Sequence, residues 1–113
     1  MTARADLLPG TLDLLILKAL SLGRLHGFGI LERIEQISKG ALLIEQGALY
    51  PALHRLERDS LVNAAWGTSD NNRRARFYTI TAAGRRRLKQ HEAAWDRSAA
   101  AMAAALRAKA DEV

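Results

Sequence analysis

The C-terminal stretch, residues 81–109, restricts the fold of this chain more than any other. Its alanine-rich sequence has a high helix propensity and Thr81 is a good N-cap, so we predict one long helix that continues toward Lys109. A helix of this length extends beyond a chain of 113 residues folded as one domain, and its apolar stripe therefore needs a partner. We expect more than one chain per assembly, joined through this candidate dimerisation stripe, which consists of Leu88, Trp95, Ala99, Met102 and Leu106.

The stretch Glu45–Leu61 predicts a shorter helix with one buried and one free face. Its leucines are three or four residues apart, so a helix gathers them on one packed stripe. Pro51 has no amide hydrogen and is tolerated only in the first turn, which sets the helix start near Gly47 or Ala48. The packed leucines are Leu49, Leu53 and Leu56, and the free face carries Tyr50, His54, Arg55 and Arg58. That face suits a DNA groove; the alternative is a solvated surface helix.

Two further helices are expected before this one. Leu12–Leu20 is apolar on more than one side, so it packs against its own domain and also against another surface. His26–Gly29 marks the start of a second helix, and the apolar positions of Ile30–Ile37 make that helix amphipathic. Ala41–Ile44 is a short apolar run that is either a strand or extended chain leading into the next helix.

A β-hairpin is expected after the third helix. Leu61–Trp66 and Arg76–Ile80 are rich in β-branched and aromatic residues, which favour strands. Between them, Gly67–Ala75 is a polar linker with turn residues and a basic end. We expect Trp66 to pack beneath the hairpin.

Three helices followed by a two-stranded hairpin predict a mainly α fold of the α+β class, the winged helix-turn-helix. In that fold the third helix enters the major groove of DNA and the tip of the hairpin, called the wing, reaches the backbone or minor groove. We expect a DNA-binding domain in residues 1–81 and a dimerisation helix in residues 82–113, joined in one compact unit.

The charge balance agrees with an acidic partner. The formal net charge is +5 and the sequence pI is about 10.2, which favours nucleic acid or an anionic membrane surface. No stretch approaches the ~20 apolar residues of a membrane span and the N-terminus has no long apolar core, so we expect a cytoplasmic protein without a membrane partner. The absence of cysteine excludes disulfides and thiolate metal sites.

Catalytic and cofactor motifs are not found in the sequence. His26, His54 and His91 lie on different predicted elements, and there is no paired-histidine motif, P-loop or nucleophile elbow. We therefore expect a protein that is not an enzyme and that carries neither a cofactor nor a metal.

Several ordered motifs resemble the signature of the PadR family of bacterial transcriptional regulators. The resemblance covers roughly Pro9 to Met102 and departs from the family at Ala48, where Ser or Thr is usual, and at Ser60, where Gly is usual. The motifs are His26–Ile30, Gly47–Glu57, Trp66–Gly67, Asn71–Tyr78 and Thr81–Arg85. Ala48 lacks a hydroxyl that can cap the helix or meet a phosphate.

The resemblance implies a homodimeric repressor that is released from DNA by a small molecule or another signal. In some small family members a tryptophan of the C-terminal helix stacks on flat aromatic ligands between the subunits, and Trp95 occupies the corresponding position. Packing alone is the alternative role for Trp95, and core packing is preferred for the two leucines that would share its cavity. The effector set implied is Asp13, Leu14, Leu17, Leu88 and Trp95.

The DNA-binding set combines the third helix and the wing. Tyr50 and His54 can hydrogen-bond phosphates or base edges, and Arg55 can also make a bidentate contact to guanine. The wing arginines supply positive charge to a backbone or narrow minor groove. The complete set is Gln46, Gly47, Ala48, Tyr50, Pro51, His54, Arg55, Arg73, Arg74 and Arg76.

These observations favour a sequence-specific transcriptional regulator that binds double-stranded DNA as a homodimer, at an inverted-repeat operator. A basic protein-interaction module whose last helix joins a coiled coil is the first alternative. A non-specific architectural DNA-binding protein is the second.

Overall fold

The computed structural model describes residues 10–113, where the four predicted helices and the predicted hairpin occur in the predicted order. The expected start of the DNA-binding domain, residues 1–9, lies outside the described residues. The helices and strands are α1 (Thr11–Ser21), β1 (Leu25–His26), α2 (Gly27–Ile37), α3 (Gln46–Arg58), β2 (Val62–Thr68), β3 (Arg74–Ile80) and α4 (Ala82–Arg107), followed by a 3-10 turn (Ala110–Glu112).

The core forms where α1 meets α2, α3, α4 and β3. The leucine stripe of α3 is buried as predicted, since Leu49, Leu53 and Leu56 are all almost fully enclosed. Burying a leucine side chain contributes about 2 kcal/mol, so this stripe fixes the rotation of α3 about its own axis. The opposite face of α3 is consequently turned to solvent.

Pro51 lies deeper in α3 than expected. The helix begins at Gln46, with Glu45 as its N-cap residue, so Pro51 is in the second turn rather than the first. The amides of Ala48 and Leu49 both donate to the Glu45 carbonyl, which starts the helix before Gly47. Proline cannot donate to the Gly47 carbonyl. Gly47 is exposed, and water can satisfy that carbonyl.

The sheet has three antiparallel strands in the order β1-β3-β2, one more than the sequence predicts. The additional strand is the pair Leu25–His26, which lies opposite Tyr78 and Phe77 of β3. His26 then ends the strand and caps α2, because its Nδ1 accepts a hydrogen bond from the Gly29 amide at 3.0 Å. The apolar run Ala41–Ile44 is not a strand but extended chain, and Ile44 is buried in the core.

The wing strands β2 and β3 are longer than predicted, and the loop that joins them is only residues 69–73. The Ser69 amide closes this loop by donating to the Arg73 carbonyl at 2.8 Å. The expectation that Trp66 packs beneath the wing is wrong, since the side chain is 60% exposed. It lies instead beside Arg74, whose guanidinium carbon is 4.5 Å from the ring centroid.

The α4 helix is anchored to the domain at its first turns and then extends away from it. Thr81 caps the helix as predicted, accepting from the Gly84 amide at 2.9 Å and donating to the Ser60 carbonyl at 2.8 Å. Leu88 is buried in the core. A helix of 26 residues is roughly 39 Å long, and it accounts for much of the 62 Å long axis of the molecule.

The Thr81 cap provides a test of this anchor. Thr81→Ala removes the acceptor for the Gly84 amide, and we expect the free energy of unfolding to fall by about 1 kcal/mol. Thr81→Ser keeps the hydroxyl and should remain within a few tenths of a kcal/mol of the parent protein. Urea denaturation at one protein concentration measures both; equal midpoints for the alanine and serine variants would contradict the assigned cap.

Candidate nucleic-acid interface

The outward face of α3 is exposed along its whole length. This follows from the burial of the leucine stripe on the other side, because residues three or four apart share a helix face. Every recognition-helix residue of the expected DNA-binding set is solvent-exposed: Gln46, Gly47, Ala48, Tyr50, Pro51, His54 and Arg55.

Arg55 is held at the edge of this face by α1. Its Nη2 atom lies 3.1 Å from Oδ1 of Asp13, in the first turn of α1. Both side chains are partly exposed, and an ion pair of this kind contributes less than about 1 kcal/mol. Asp13 was expected to line an effector cavity, and the structure places its carboxylate beside the recognition helix instead. Arg55 can therefore exchange this partner for another anion at little cost.

A second ion pair links the wing to α3. The Nη2 atom of Arg76 lies 2.7 Å from Oε2 of Glu57. Arg76 is thus partly neutralised, whereas Arg73 and Arg74 have no carboxylate partner among the described residues. The positive charge that the wing can offer to an anion resides mainly on Arg73 and Arg74.

A groove of about 780 Å³ separates the first turn of α2 from the wing, and we call it the wing groove. Three arginines and no carboxylate are among its lining residues in the described chain, so its charge favours an anion. The side chains and backbone that define it belong to Gly27, Phe28, Tyr50, Trp66, Arg73, Arg74, Arg76 and Tyr78.

Tyr50 connects the outward face of α3 to the wing groove. An ideal Cβ built on Gly27 would lie 2.6 Å from the Tyr50 hydroxyl oxygen, so the ring lies directly against the backbone of α2. Any side chain at position 27 would displace it. Gly27 therefore leaves room for the Tyr50 ring. The sequence indicated only that a helix starts near this glycine.

Tyr78 was not predicted as a site residue, yet it lines the same groove. Its side chain is only 5% exposed. Burial raises the pKa of the Tyr78 hydroxyl above its ordinary value, Glu57 and Tyr50 add to the rise, and Arg76 opposes it. The hydroxyl consequently stays protonated at neutral pH and can donate a hydrogen bond.

The expected effector residues do not form one site in the single chain. Leu14 and Trp95 line a groove of about 390 Å³ between α1 and α4, together with His91, and we call it the α1–α4 groove. Leu17 and Leu88 are buried in the core and are not accessible to a ligand. Their burial agrees with the core-packing alternative for Leu17, and neither leucine is open to a ligand in the single chain.

The expected dimerisation stripe divides into two parts. Leu88 packs into its own domain and is not accessible to a second chain. The outer part remains open, because Met102 is 61% and Leu106 78% exposed, and Trp95 and Ala99 are exposed as well. A stripe of large apolar side chains in water is a candidate interaction surface.

Among the described residues, no group of three or more His, Asp or Glu side chains is arranged to hold a metal ion. None of the helices in residues 10–113 combines the length and apolar character needed to cross a membrane.

Three helices, a two-stranded wing and an exposed third helix define the winged helix-turn-helix class of DNA-binding domains. A protein-family model described as the transcriptional regulator PadR-like family matches residues 16–90. The chain belongs to this family of transcriptional regulators, which are not enzymes, and the resemblance found in the sequence motifs is confirmed.

Comparisons with individual proteins agree with this assignment. An uncharacterised protein of Lysinibacillus sphaericus is 26% identical over 92 residues, covering 81% of this chain and 84% of the relative. The structure of a transcriptional regulator from Clostridium thermocellum is similar with a TM-score of 0.77 at 26% identity, covering 87% of this chain and 95% of that one. Bacillus subtilis PadR, solved in complex with operator DNA, shares the fold with a TM-score of 0.63 at 21% identity, over 71% of this chain and 45% of its own.

Proposed function

We propose that this PadR-family regulator is a homodimeric repressor that binds an inverted-repeat operator in duplex DNA. The observation that carries the proposal is the arrangement of the exposed face of α3 beside the wing groove, with three arginines and no carboxylate lining that groove among the described residues. The Bacillus subtilis PadR structure, whose fold is similar, contains operator DNA. That likeness supports the same use of the fold in this chain.

In the proposed complex α3 lies in the major groove. Tyr50, His54 and Arg55 face the base edges and phosphates, and Arg55 exchanges Asp13 for DNA. Arg73 and Arg74 of the wing contact the flanking backbone.

Dimerisation is proposed to occur through the open part of the α4 stripe, within residues 82–113. A two-fold axis through paired α4 helices presents two copies of α3 to one duplex. Successive major grooves on one side of DNA are roughly 34 Å apart, so the operator should contain two inverted half-sites at about this spacing. Binding at a promoter would then occlude transcription.

Release by a small molecule is proposed to act at the α1–α4 groove. Trp95 lines this groove in the single chain, and in the proposed dimer a flat aromatic ligand would stack on its ring. The two α3 helices fit DNA in only one of their spacings. Such a ligand weakens DNA binding only to the extent that it binds more tightly to a dimer with another spacing than to the DNA-binding dimer.

Selection of bound fragments from a random duplex library tests the function. We expect the selected duplexes to share an inverted repeat, and a preference over a scrambled duplex of about 10³-fold or more at physiological salt. Both affinities should fall steeply as the salt concentration rises. Salt-dependent binding without preference would instead identify a non-specific architectural protein, and no binding to duplex DNA would favour the protein-interaction module.

The dimer is tested by placing a charge on the open stripe. Met102→Asp puts a carboxylate where two apolar side chains would meet, so we expect monomers at concentrations where the parent chain is dimeric. Ala104→Asp introduces the same charge on the opposite face of α4 and should leave the dimer intact. Sedimentation velocity measures both variants; a parent chain that is monomeric while folded would refute the proposed assembly.

The ligand role of Trp95 is tested with acridine as a flat aromatic probe. We expect acridine to quench the fluorescence of the parent dimer and of Trp66→Phe, because Trp95 is kept in both. Trp95→Ala, checked by sedimentation to be dimeric, should lose acridine binding by a factor of about ten or more, since stacking on an aromatic face contributes about 1 kcal/mol or more. Unchanged affinity in Trp95→Ala would assign this tryptophan to packing alone.

A further inference from the structure

We propose that the wing groove seats one phosphate of the DNA backbone, with the hydroxyls of Tyr50 and Tyr78 as its hydrogen-bond donors. The inference deepens the proposed function and rests on it. It adds the first turn of α2 and the interior of the wing to the DNA contact surface, beyond the outward face of α3 and the wing tip.

Tyr78 is a buried residue whose hydroxyl has no partner within the described chain. Its side chain is nineteen-twentieths buried, but its hydroxyl makes no hydrogen bond to any described residue. Among the described residues, only Arg33 Nη1 is both sealed from solvent and without a partner, so the Tyr78 hydroxyl reaches solvent. Tyr78 lines the wing groove, so its hydroxyl is open to solvent through this groove. Because the hydroxyl is open to the groove and makes no hydrogen bond within the described chain, it is available to donate to a ligand oxygen there.

Tyr50 supplies a second hydroxyl to the wing groove. The missing side chain of Gly27 lets the Tyr50 hydroxyl approach the backbone of α2 at the floor of the groove. Tyr50 and Tyr78 both line this groove. Two phenol donors in one groove match the oxygens of a single phosphate, and hydrogen bonds to a charged acceptor are the strong ones.

The charge and shape of the walls of the wing groove also suit a phosphate. Arg73, Arg74 and Arg76 line the groove, and no carboxylate lines it in the described chain. The N-terminus of α2 adds partial positive charge at the same side. Phe28 and Trp66 are both more than half exposed and present apolar rings, which suit the sugars on either side of a phosphate. At about 780 Å³ the groove fits a stretch of sugar-phosphate backbone better than an isolated anion.

Tyr50 belongs to α3 and also lines the wing groove, so both surfaces can contact the same duplex. A backbone contact carries no direct sequence information, so the seat should set affinity and register rather than the choice of bases. Its loss should therefore weaken binding to operator and scrambled DNA alike.

Tyr78→Phe removes the hydroxyl and keeps the ring. We expect a loss of affinity of about tenfold, equal on the selected operator and a scrambled duplex, because one hydrogen bond to a charged phosphate is lost. The thermal midpoint should not fall, since the hydroxyl has no partner within the protein. Thr79→Val removes a hydroxyl from the next residue, on the opposite face of β3, and should bind DNA like the parent chain.

A neutral phosphate analogue locates the seat. In the scan, each duplex carries one methylphosphonate. We expect one position per half-site at which this change weakens binding of the parent chain but does not further weaken binding of Tyr78→Phe. Inorganic phosphate at millimolar concentration should compete no better than its ionic strength predicts. Specific competition by free phosphate would show that the groove binds a small anion and would overturn the assignment to DNA.

Gly27→Ala tests the Tyr50 half of the seat. The new methyl group displaces a flexible, half-exposed ring, so the fold should persist while affinity falls by a factor similar to that of Tyr50→Phe. In the Tyr50→Phe background, Gly27→Ala should have little further effect on DNA affinity.

If the parent chain binds its operator and Tyr78→Phe binds equally well, the phosphate seat is refuted and the proposed function stands. If the parent chain binds no duplex, the proposed function itself fails.

Discussion

The burial of the α3 leucine stripe is the constraint on which the rest of the structure depends. Leu49, Leu53 and Leu56 can be enclosed only if α3 lies against the core with one face inward, and this choice turns Tyr50 and His54 outward. A helix rotated by half a turn would expose three leucines, at about 2 kcal/mol for each side chain, and would bury polar groups without partners. The direction of the candidate interface is thus decided inside the domain, by residues that contact no DNA.

α1 lies at the centre of the connections between the sites. Its buried side packs on α2, α3 and α4, its Asp13 pairs with Arg55, and the adjacent Leu14 lines the α1–α4 groove with Trp95. One helix therefore touches both the candidate DNA face and the candidate ligand groove. The ligand proposed for this groove would therefore act on Arg55 through α1.

The sequence predicted the elements that follow from periodicity and local chemistry. The leucine spacing predicted the buried face of α3, the β-branched runs predicted the wing, and Thr81 predicted the start of α4.

The prediction failed where contacts between distant parts of the chain determine the structure. Trp66 lies on the same sheet face as the buried Val62 and Tyr78, but the wing extends past the core, so no core side chain of the described residues covers its ring and only Arg74 lies over it. β1 has two residues, too few for a pattern, and exists because β3 pairs with it. The ion pairs of Arg55 and Arg76 join residues 42 and 19 positions apart, which no local signal reveals.

We propose above all that the outward face of α3 and the wing groove together bind one duplex. Backbone and side-chain chemical shifts of the labelled protein, recorded while a selected duplex is added, test it most directly. The account predicts changes concentrated at Tyr50, His54, Arg74 and Tyr78, with the exposed outer face of α2 around Glu32 and Glu35 unaffected. Chemical-shift changes confined to the open stripe of α4 or to α2, with no change in α3 or the wing, would contradict the proposed interface.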